Sequence, residues 1–420
     1  MNKSRRKFLA ALAATGVGAA AWRYWPDGGF FNPCRTGKLP KHLRKHDVVL
    51  AAWQGIDPNQ LWDGHVHLVG VGDSDSGIWL TPRMDDVTHL SEYIQKQFYL
   101  NASCTERAGS VDVDFVKRIV ALQGQFKPGA KSLLLAFDYA YAEPVSGNKK
   151  NMPVLDRSSF YVPNEYAMRV AQTYPDKFEW IASIHPYRDD CVEALKQAVA
   201  NGARAVKWLP AAQGMDPGNP LCAPFYEAMA SLNIPLLVHA GREEAVKGGD
   251  TQDYGNPLRL RVPLDAGVRV IVAHCASLGE GIDLDVGVDG PMISNFELFE
   301  RLMAENDYNG RVYGEISTVT QINRLGPPLE AAILRDEWRG RLLNASDYPL
   351  PGIVPLFSLP ELQARGYINE TERNVLSEIR QYNPMLFDFV LKRTVQIDGK
   401  RIARDTFHTR WVFDNNGLNG

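Results

Sequence analysis

The sequence has little of what marks several large classes of protein. Its 420 residues include only five cysteines, and no two of them form a CxxC pair. This scarcity argues against a cysteine metal cage and against a disulfide framework. We interpret most of the cysteines as small apolar core residues. An exported chain could still pair two of them, and the sequence does not indicate which.

An excess of basic residues is also missing. The 46 lysines and arginines face 49 aspartates and glutamates, which gives a formal net charge of −3. No basic patch stands out beyond the N-terminus, so we expect no nucleic-acid partner. The hydrophobic fraction of 45 % is that of an ordinary globular protein with a large core.

The N-terminal apolar run at residues 8–21 is too short for a stable membrane span, since it has 14 residues where about 20 are needed. It follows the basic pair Arg5-Arg6, and this layout resembles a twin-arginine export signal. An amphipathic helix is the alternative, but the run has no polar face. We predict a bacterial protein that is periplasmic or otherwise exported, with the twin-arginine export machinery as partner. An uncleaved signal would leave the protein tethered to the membrane.

Short apolar runs alternate with helical patterns along most of the chain. Eight continuous apolar runs of this kind are typical of a parallel sheet buried on both faces. The alternation favours a (β/α)8 barrel, the TIM barrel. An open doubly wound sheet is the alternative, but it usually carries a glycine-rich turn after its first strand, where this chain has histidines. The predicted strands are 60–68, 132–140, 178–186, 203–210, 234–241, 268–275, 311–318 and 341–349.

The predicted organisation is an export signal at 1–21, an N-terminal extension at 22–58, the barrel at 59–393 and a C-terminal tail at 394–420. Three further features are predicted. One last helix covers 370–393. The long loop 69–110 lies over the barrel mouth as a lid or a wall. In the tail, 407–413 forms a strand or packs down.

Charged and imidazole side chains gather at the ends of the predicted strands, where barrels of this type carry their chemistry. Asp63, His65 and His67 alternate along the first strand, so they face the same way. Any one histidine could be a satisfied core residue, but five of the nine end strands. Imidazoles with a carboxylate suit a divalent metal, zinc above all, that activates a water. The other strand-end residues are His185, Lys207, His239, His274 and Asp347.

Five motifs in chain order resemble those of the amidohydrolase superfamily, and of its amidohydrolase-related branch in particular. The resemblance runs from about residue 59 to about residue 393, and "NPMLFDFVLKR" is similar to the closing helix of that branch. A lone HxH is a weak signal, whereas five ordered motifs are a strong one. The motifs are "DGHVH", "GARAVKWLP", "IPLLVHAG", "VIVAHCAS" and "NASDYP".

The resemblance implies a role for each motif residue. His65, His67 and His239 would bind the metal, and Asp347 would contact it and take a proton from the attacking water. His274 would bind a second metal or shuttle protons, unless it is only hydrogen-bonded in the barrel rim.

Lys207 is ambiguous. It could be carboxylated and bridge two metals, as in the binuclear members of the family. It could instead pair with a substrate carboxylate or with Asp347, or be bonded into the rim. We favour one ion, because this branch is often mononuclear.

Four other side chains are candidates for substrate recognition or for packing behind the site: Asp138, His185, Arg242 and Glu315. Arg242 could bind an anionic group with its planar guanidinium.

The leading hypothesis is a metal-dependent hydrolase that attacks a carbonyl of an amide, lactone or other ester in a small-molecule substrate. The alternative is a metal-dependent lyase, a decarboxylase or hydratase, acting on an unsaturated or aromatic acid. A non-catalytic exported metal- or ligand-binding protein is the third possibility. The sequence does not define the substrate or the oligomeric state.

Overall fold

Eight parallel strands form a closed barrel, as the sequence predicts. The computed structural model describes residues 30–105, 107–144, 151–246 and 249–414. Neighbouring strands in the barrel follow one another in the chain, from β1 to β8. The strands are β1 (Trp62–His67), β2 (Lys131–Leu135), β3 (Phe178–Ala182), β4 (Ala203–Trp208), β5 (Leu236–His239), β6 (Val270–Ala273), β7 (Val312–Glu315) and β8 (Leu342–Leu343).

Backbone hydrogen bonds close the barrel between its last and first strands. The amide of Asp347 donates to the carbonyl of His65 at 2.8 Å, and the amide of His67 donates to the carbonyl of Tyr348 at 2.8 Å. The segment that follows β8 therefore continues its pairing with β1. The fold is the predicted (β/α)8 barrel.

Helices surround the barrel and connect its strands. They are α1 (Lys41–Arg44), α2 (Asp47–Ala52), α3 (Leu90–Ser103), α4 (Val111–Gln123), α5 (Asn164–Thr173), α6 (Cys191–Ala200), α7 (Pro210–Gln213), α8 (Ala223–Ser231), α9 (Arg261–Asp265), α10 (Asn295–Ala304), α11 (Pro327–Leu334), α12 (Leu359–Ala364), α13 (Glu370–Tyr382), α14 (Pro384–Thr394) and α15 (Arg410–Phe413).

The prediction of one last helix over 370–393 is wrong, because α13 and α14 are separate. Pro384 has no amide hydrogen and interrupts the helical hydrogen bonds. Asn383 before it is extended, with φ −146° and ψ 93°, and its side chain accepts from the amide of Leu386. Asn383 therefore ends one helix and caps the next.

The C-terminal tail seals the end of the barrel opposite the strand ends that carry the histidines. Val412 and Phe413 of α15 belong to the apolar cluster inside the barrel, with Trp62, Leu237 and Ile271 among its members. Gly64 leaves room for this contact, since a Cβ there would lie 3.0 Å from the Phe413 ring. Residues 407–413 thus pack down, the second of the two predicted alternatives.

The loop predicted over 69–110 contains α3 and forms a wall of the barrel mouth. Within it, Trp79–Leu80 pairs with Phe160–Tyr161 as a short antiparallel ladder. A disulfide joins Cys104, just after α3, to Cys34 of the N-terminal extension. One pair of cysteines is therefore bonded, and Cys191, Cys222 and Cys275 are free and buried.

No helix in the described part of the chain is long and apolar enough to cross a membrane. The predicted export signal at 1–21 lies outside the described residues.

Truncating Phe413 tests the seal at the closed end. Phe413 is 1 % exposed, so we expect Phe413→Ala to lower the free energy of unfolding by about 3–5 kcal/mol, the usual cost of a cavity of this size. Trp411→Ala is the matched control, because that ring is 38 % exposed and fills less of the core. Urea unfolding of both variants measures the difference, and equal losses would contradict this role of Phe413.

Candidate functional site

His65, His67 and Asp347 form a compact cluster at the carboxyl ends of β1 and β8. The Nε2 atoms of the two histidines lie 3.2 Å apart. Asp347 Oδ1 lies 3.4 Å from His65 Nε2 and 3.0 Å from His67 Nε2. The three residues therefore present nitrogen and oxygen atoms close enough to hold one metal ion.

The backbone brings these side chains together. Alternation along β1 places His65 and His67 on the same face, and the hydrogen bond from the Asp347 amide to the His65 carbonyl fixes Asp347 beside them. His274 and Asp347 have φ of 58° and 57°. This left-handed conformation costs non-glycine residues of order 1–3 kcal/mol and concentrates at functional sites. It turns the backbone sharply at His274, directly after β6, and at Asp347, four residues after β8.

Asp63 does not share the cluster. Its Oδ1 accepts from the amide of Ser346 at 2.8 Å and from the amide of His65 at 3.3 Å. Asp63 therefore ties β1 to the segment after β8, beneath the histidines, and supports the closure of the barrel.

The cluster fits a metal by two observations. Tetrahedral ligands about 2.1 Å from zinc stand roughly 3.4 Å from one another, close to the separations within this group. In addition, Asp347 Oδ1 and His239 Nε2 are buried without a hydrogen-bond partner in the described residues. Buried polar atoms are rarely left so. Ligation would satisfy both atoms.

His239 and His274 continue the cluster along the rim. The His274 ring lies 5.4 Å from that of His65 and 5.2 Å from that of His239, centroid to centroid. His274 Nδ1 is 2.6 Å from Ser317 Oγ, and its Nε2 is 3.7 Å from Asp347 Oδ2. The predicted ligand His239 thus stands beside the compact group, across the ring of His274.

Burial keeps the imidazoles in the form that binds metals. Removal from water, reinforced by nearby cationic side chains, holds the pKa of His65, His239 and His274 well below the ordinary value. Neutral imidazole is the ligating form. The histidines are therefore ready for a cation without losing protons first.

Lys207, at the end of β4, lines the same cavity as the histidines and Asp347. It is 1 % exposed, and its Nζ has no hydrogen-bond partner among the described residues. Burial lowers its pKa to about 8, although Glu315 and Asp347 oppose the shift. The predicted pairing of Lys207 with Asp347 is not made as a contact within 4 Å in the described residues.

Glu243 is a site residue that sequence reasoning missed. It lies four residues after His239, and its Oε2 is 3.3 Å from His239 Nε2. Its Oε1 accepts from the amides of Ala245 and Val246. Burial raises its pKa to about 7. The pair Glu243-Glu244 in a loop was the available signal, but such pairs are usually exposed.

A cavity of about 810 Å³ opens above the cluster. Its wall includes α3, the loop after β5 and the segment after β8. Arg324, from the irregular segment after β7, also lines it. No motif marks Arg324 in the sequence, so it could not be found there.

The four predicted recognition residues lie outside this lining. Arg242 points away, with its side chain 62 % exposed and 3.5 Å from Glu244. Glu315 is buried behind the cluster, where its Oε1 lies 3.3 Å from His65 Nδ1 and its Oε2 accepts from the amide of His274. Glu315 therefore fixes the backbone of His274 by a hydrogen bond and stands behind the ring of His65 at ion-pair distance, where carboxylates behind metal ligands are typically found.

Asp138 and His185 are hydrogen-bonded to each other and to neighbouring residues. Asp138 Oδ2 accepts from the His185 amide and from Arg188. His185 Nε2 lies 3.0 Å from the carbonyl of Gln213, and its Nδ1 accepts from the amide of Tyr187. Both ring nitrogens are satisfied by a neutral ring, which indicates packing behind the site rather than substrate contact.

This arrangement predicts a pH effect on stability. Burial lowers the pKa of His185 to about 3 in the folded state, against 6.5 ordinarily. A depressed pKa contributes stability that is present above pH 6.5 and is lost as the pH falls toward 3. At pH 5 the loss is about 2 kcal/mol. Urea unfolding of His185→Gln should therefore show a shallower decline from pH 7 to pH 5.

His42→Gln is the control, since that side chain is 64 % exposed, and it should decline as the unaltered protein does. Parallel declines for His185→Gln and the unaltered protein would contradict the buried neutral ring.

Comparisons with known proteins found one family model and several solved structures that are similar to this chain. A family model described as amidohydrolase matches residues 144–352, and no curated protein sequence matches significantly. Among solved structures, 5-carboxyvanillate decarboxylase from Novosphingobium aromaticivorans is similar at 15 % identity and a TM-score of 0.44, covering 78 % of this chain and 96 % of its own.

Two further solved structures are similar to this chain. An uncharacterized TIM-barrel protein from Bordetella bronchiseptica has 16 % identity and a TM-score of 0.43, and the match covers 70 % of this chain and 88 % of that protein. A probable 2-pyrone-4,6-dicarboxylic acid hydrolase from Acinetobacter baumannii has 14 % identity and a TM-score of 0.38, and the match covers 78 % of this chain and 97 % of that protein. The family match over 144–352, together with the eight-stranded barrel, supports the amidohydrolase superfamily for this chain.

Proposed function

We propose that the protein is a metal-dependent hydrolase acting on an amide, lactone or other ester of a small molecule. The observation that carries the proposal is the group formed by His65, His67 and Asp347, whose ligand atoms lie within 4.8 Å of one another. His239 lies outside this group, and we propose it as the third imidazole of the ligand set on the strength of the motif resemblance. A divalent ion bound there, zinc above all, would polarise a carbonyl and lower the pKa of a water.

The chain's own residues would move the proton. Asp347 Oδ1 faces the two imidazoles of the proposed ligand group, so the other carboxylate oxygen, Oδ2, would accept a proton from water. His274 Nε2, 3.7 Å from Asp347 Oδ2, is placed to pass the proton toward a leaving group. Ser317 would hold the ring of His274 from behind, and Glu315 lies behind the ring of His65, 3.3 Å from its Nδ1.

A lyase reaction on an unsaturated or aromatic acid is the second candidate. The observation that favours it is the pair of buried cations in the cavity, Lys207 and Arg324. A substrate carboxylate would suit both. Lys207 would also serve as a carboxylated bridge if two ions are bound, although we favour one.

We also propose export by the twin-arginine route to the periplasm. The basic pair Arg5-Arg6 before an apolar run supports it. The disulfide between Cys34 and Cys104 supports it independently, because such bonds persist in oxidising compartments.

Metal analysis and turnover together test the enzymatic proposal. We expect about one divalent ion per chain, and hydrolysis of some members of a lactone and amide panel. His65→Asn and His67→Asn should each lose most of the metal. Asp347→Asn should lower turnover at least a hundredfold, because the proton acceptor is gone. The exposed His42→Asn is the matched control for metal loss.

Release of CO₂ from aromatic acids without hydrolysis would select the lyase. Metal binding with no turnover of either panel, and ligand binding unchanged in Asp347→Asn, would mean a non-catalytic binding protein.

Replacing Arg5 and Arg6 by lysine tests export. We expect the variant to stay in the cytoplasm, with the Cys34 and Cys104 thiols open to alkylation, whereas both thiols are blocked in the exported protein. An exported fraction that is unchanged by the double substitution would overturn the twin-arginine route.

A further inference from the structure

Arg324 is a buried arginine with few partners. The residue is 8 % exposed, and Nη1 donates to Ser277 Oγ at 2.8 Å, while Nε has no hydrogen-bond partner in the described residues. No carboxylate of the described residues lies within ion-pair distance, although Asp347 and Glu243 attract the guanidinium from further away. A guanidinium has five donors, and burying its charge without an anion is costly.

The position of Arg324 makes its unpaired donors available to a ligand. Its side chain lines the cavity that also contains His65, His67 and Asp347. Planar anions fit a guanidinium through two parallel hydrogen bonds. A carboxylate in the cavity would therefore supply the acceptors that the protein does not.

The rest of the cavity offers a different surface. Phe98 of α3, Phe137, Phe160, Leu80, Leu209 and Leu356 line it from separate segments. Phe137 and Phe160 stack at 4.1 Å between ring centroids. A volume of about 810 Å³ lies in the upper half of the range of roughly 300–1,000 Å³ that small-molecule sites occupy. A substrate with few carbon atoms would leave this apolar wall exposed to water.

We propose that the cavity takes an amphiphilic carboxylate. Arg324 binds the carboxylate, and a bulky apolar body lies against the wall formed by Phe98, Phe137 and Phe160. The inference rests on the proposed function, because it treats the histidine cluster as the reacting end of the same cavity. It adds the substrate class, and it makes Arg324, rather than Arg242, the residue that recognises the anion.

Binding of simple carboxylates to the metal-loaded protein tests the proposal. The probes are butanoate, hexanoate, octanoate and decanoate, with decan-1-ol as the uncharged counterpart, titrated by calorimetry. Each added CH₂ buried against the wall should tighten binding by about fourfold. Decanoate should bind at least tenfold more tightly than decan-1-ol, because only the acid engages the guanidinium.

Three variants assign the two halves of the site. Arg324→Gln should weaken decanoate at least tenfold and leave decan-1-ol within twofold. Phe98→Ser should flatten the dependence on chain length while keeping the preference for acid over alcohol. Arg242→Gln should bind all probes as the unaltered protein does.

Each remaining outcome would overturn the inference. Equal affinity for butanoate and decanoate would show that no apolar body binds against the wall. Unchanged decanoate affinity in Arg324→Gln would show that the carboxylate binds at the histidine cluster instead. A loss of decanoate affinity in Arg242→Gln alone would show that Arg242 binds the anion. Metal content is measured on every sample, so a protein that binds no metal counts against the proposed function, and the chain-length series is judged separately.

Discussion

Closure of the barrel between its last and first strands is the constraint on which the site depends. The backbone bond from Asp347 to His65 and the bond from His67 to Tyr348 hold the two strand ends together. Asp63 reinforces the closure from below through the Ser346 amide. The carboxylate of Asp347 is thereby placed about 3–3.5 Å from two imidazoles that lie some 280 residues earlier in the chain. Metal ligands adopt separations of this size.

Charge burial explains much of the remaining architecture. The rim buries neutral imidazoles, and the cations Lys207 and Arg324 have no close anionic partner in the described residues. An isolated buried charge is expensive. Apolar burial in the barrel interior, which Phe413 closes, and packing of the surrounding helices offset this cost. This arrangement is consistent with the cation and the anionic ligand that we propose for the site.

The sequence predicted the features that depend on local pattern. Eight apolar runs predicted the strands, and their polar ends predicted His65, His67, His239, His274, Lys207 and Asp347 as one group. What it missed depends on distant contacts. Arg324 lies in an irregular segment without a motif, and Cys34 meets Cys104 across 70 residues. The packing of Asp138 and His185 depends on Arg188 and Gln213, whose positions only the fold defines.

X-ray absorption of the metal in the purified protein tests the central claim most directly, because it reports the atoms that surround the ion. We predict a shell of nitrogen and oxygen atoms at about 2.0–2.2 Å, with multiple scattering from at least two imidazoles and no sulfur. A sulfur shell near 2.3 Å, or a shell of oxygens alone, would contradict convergence of His65, His67 and Asp347 on one ion.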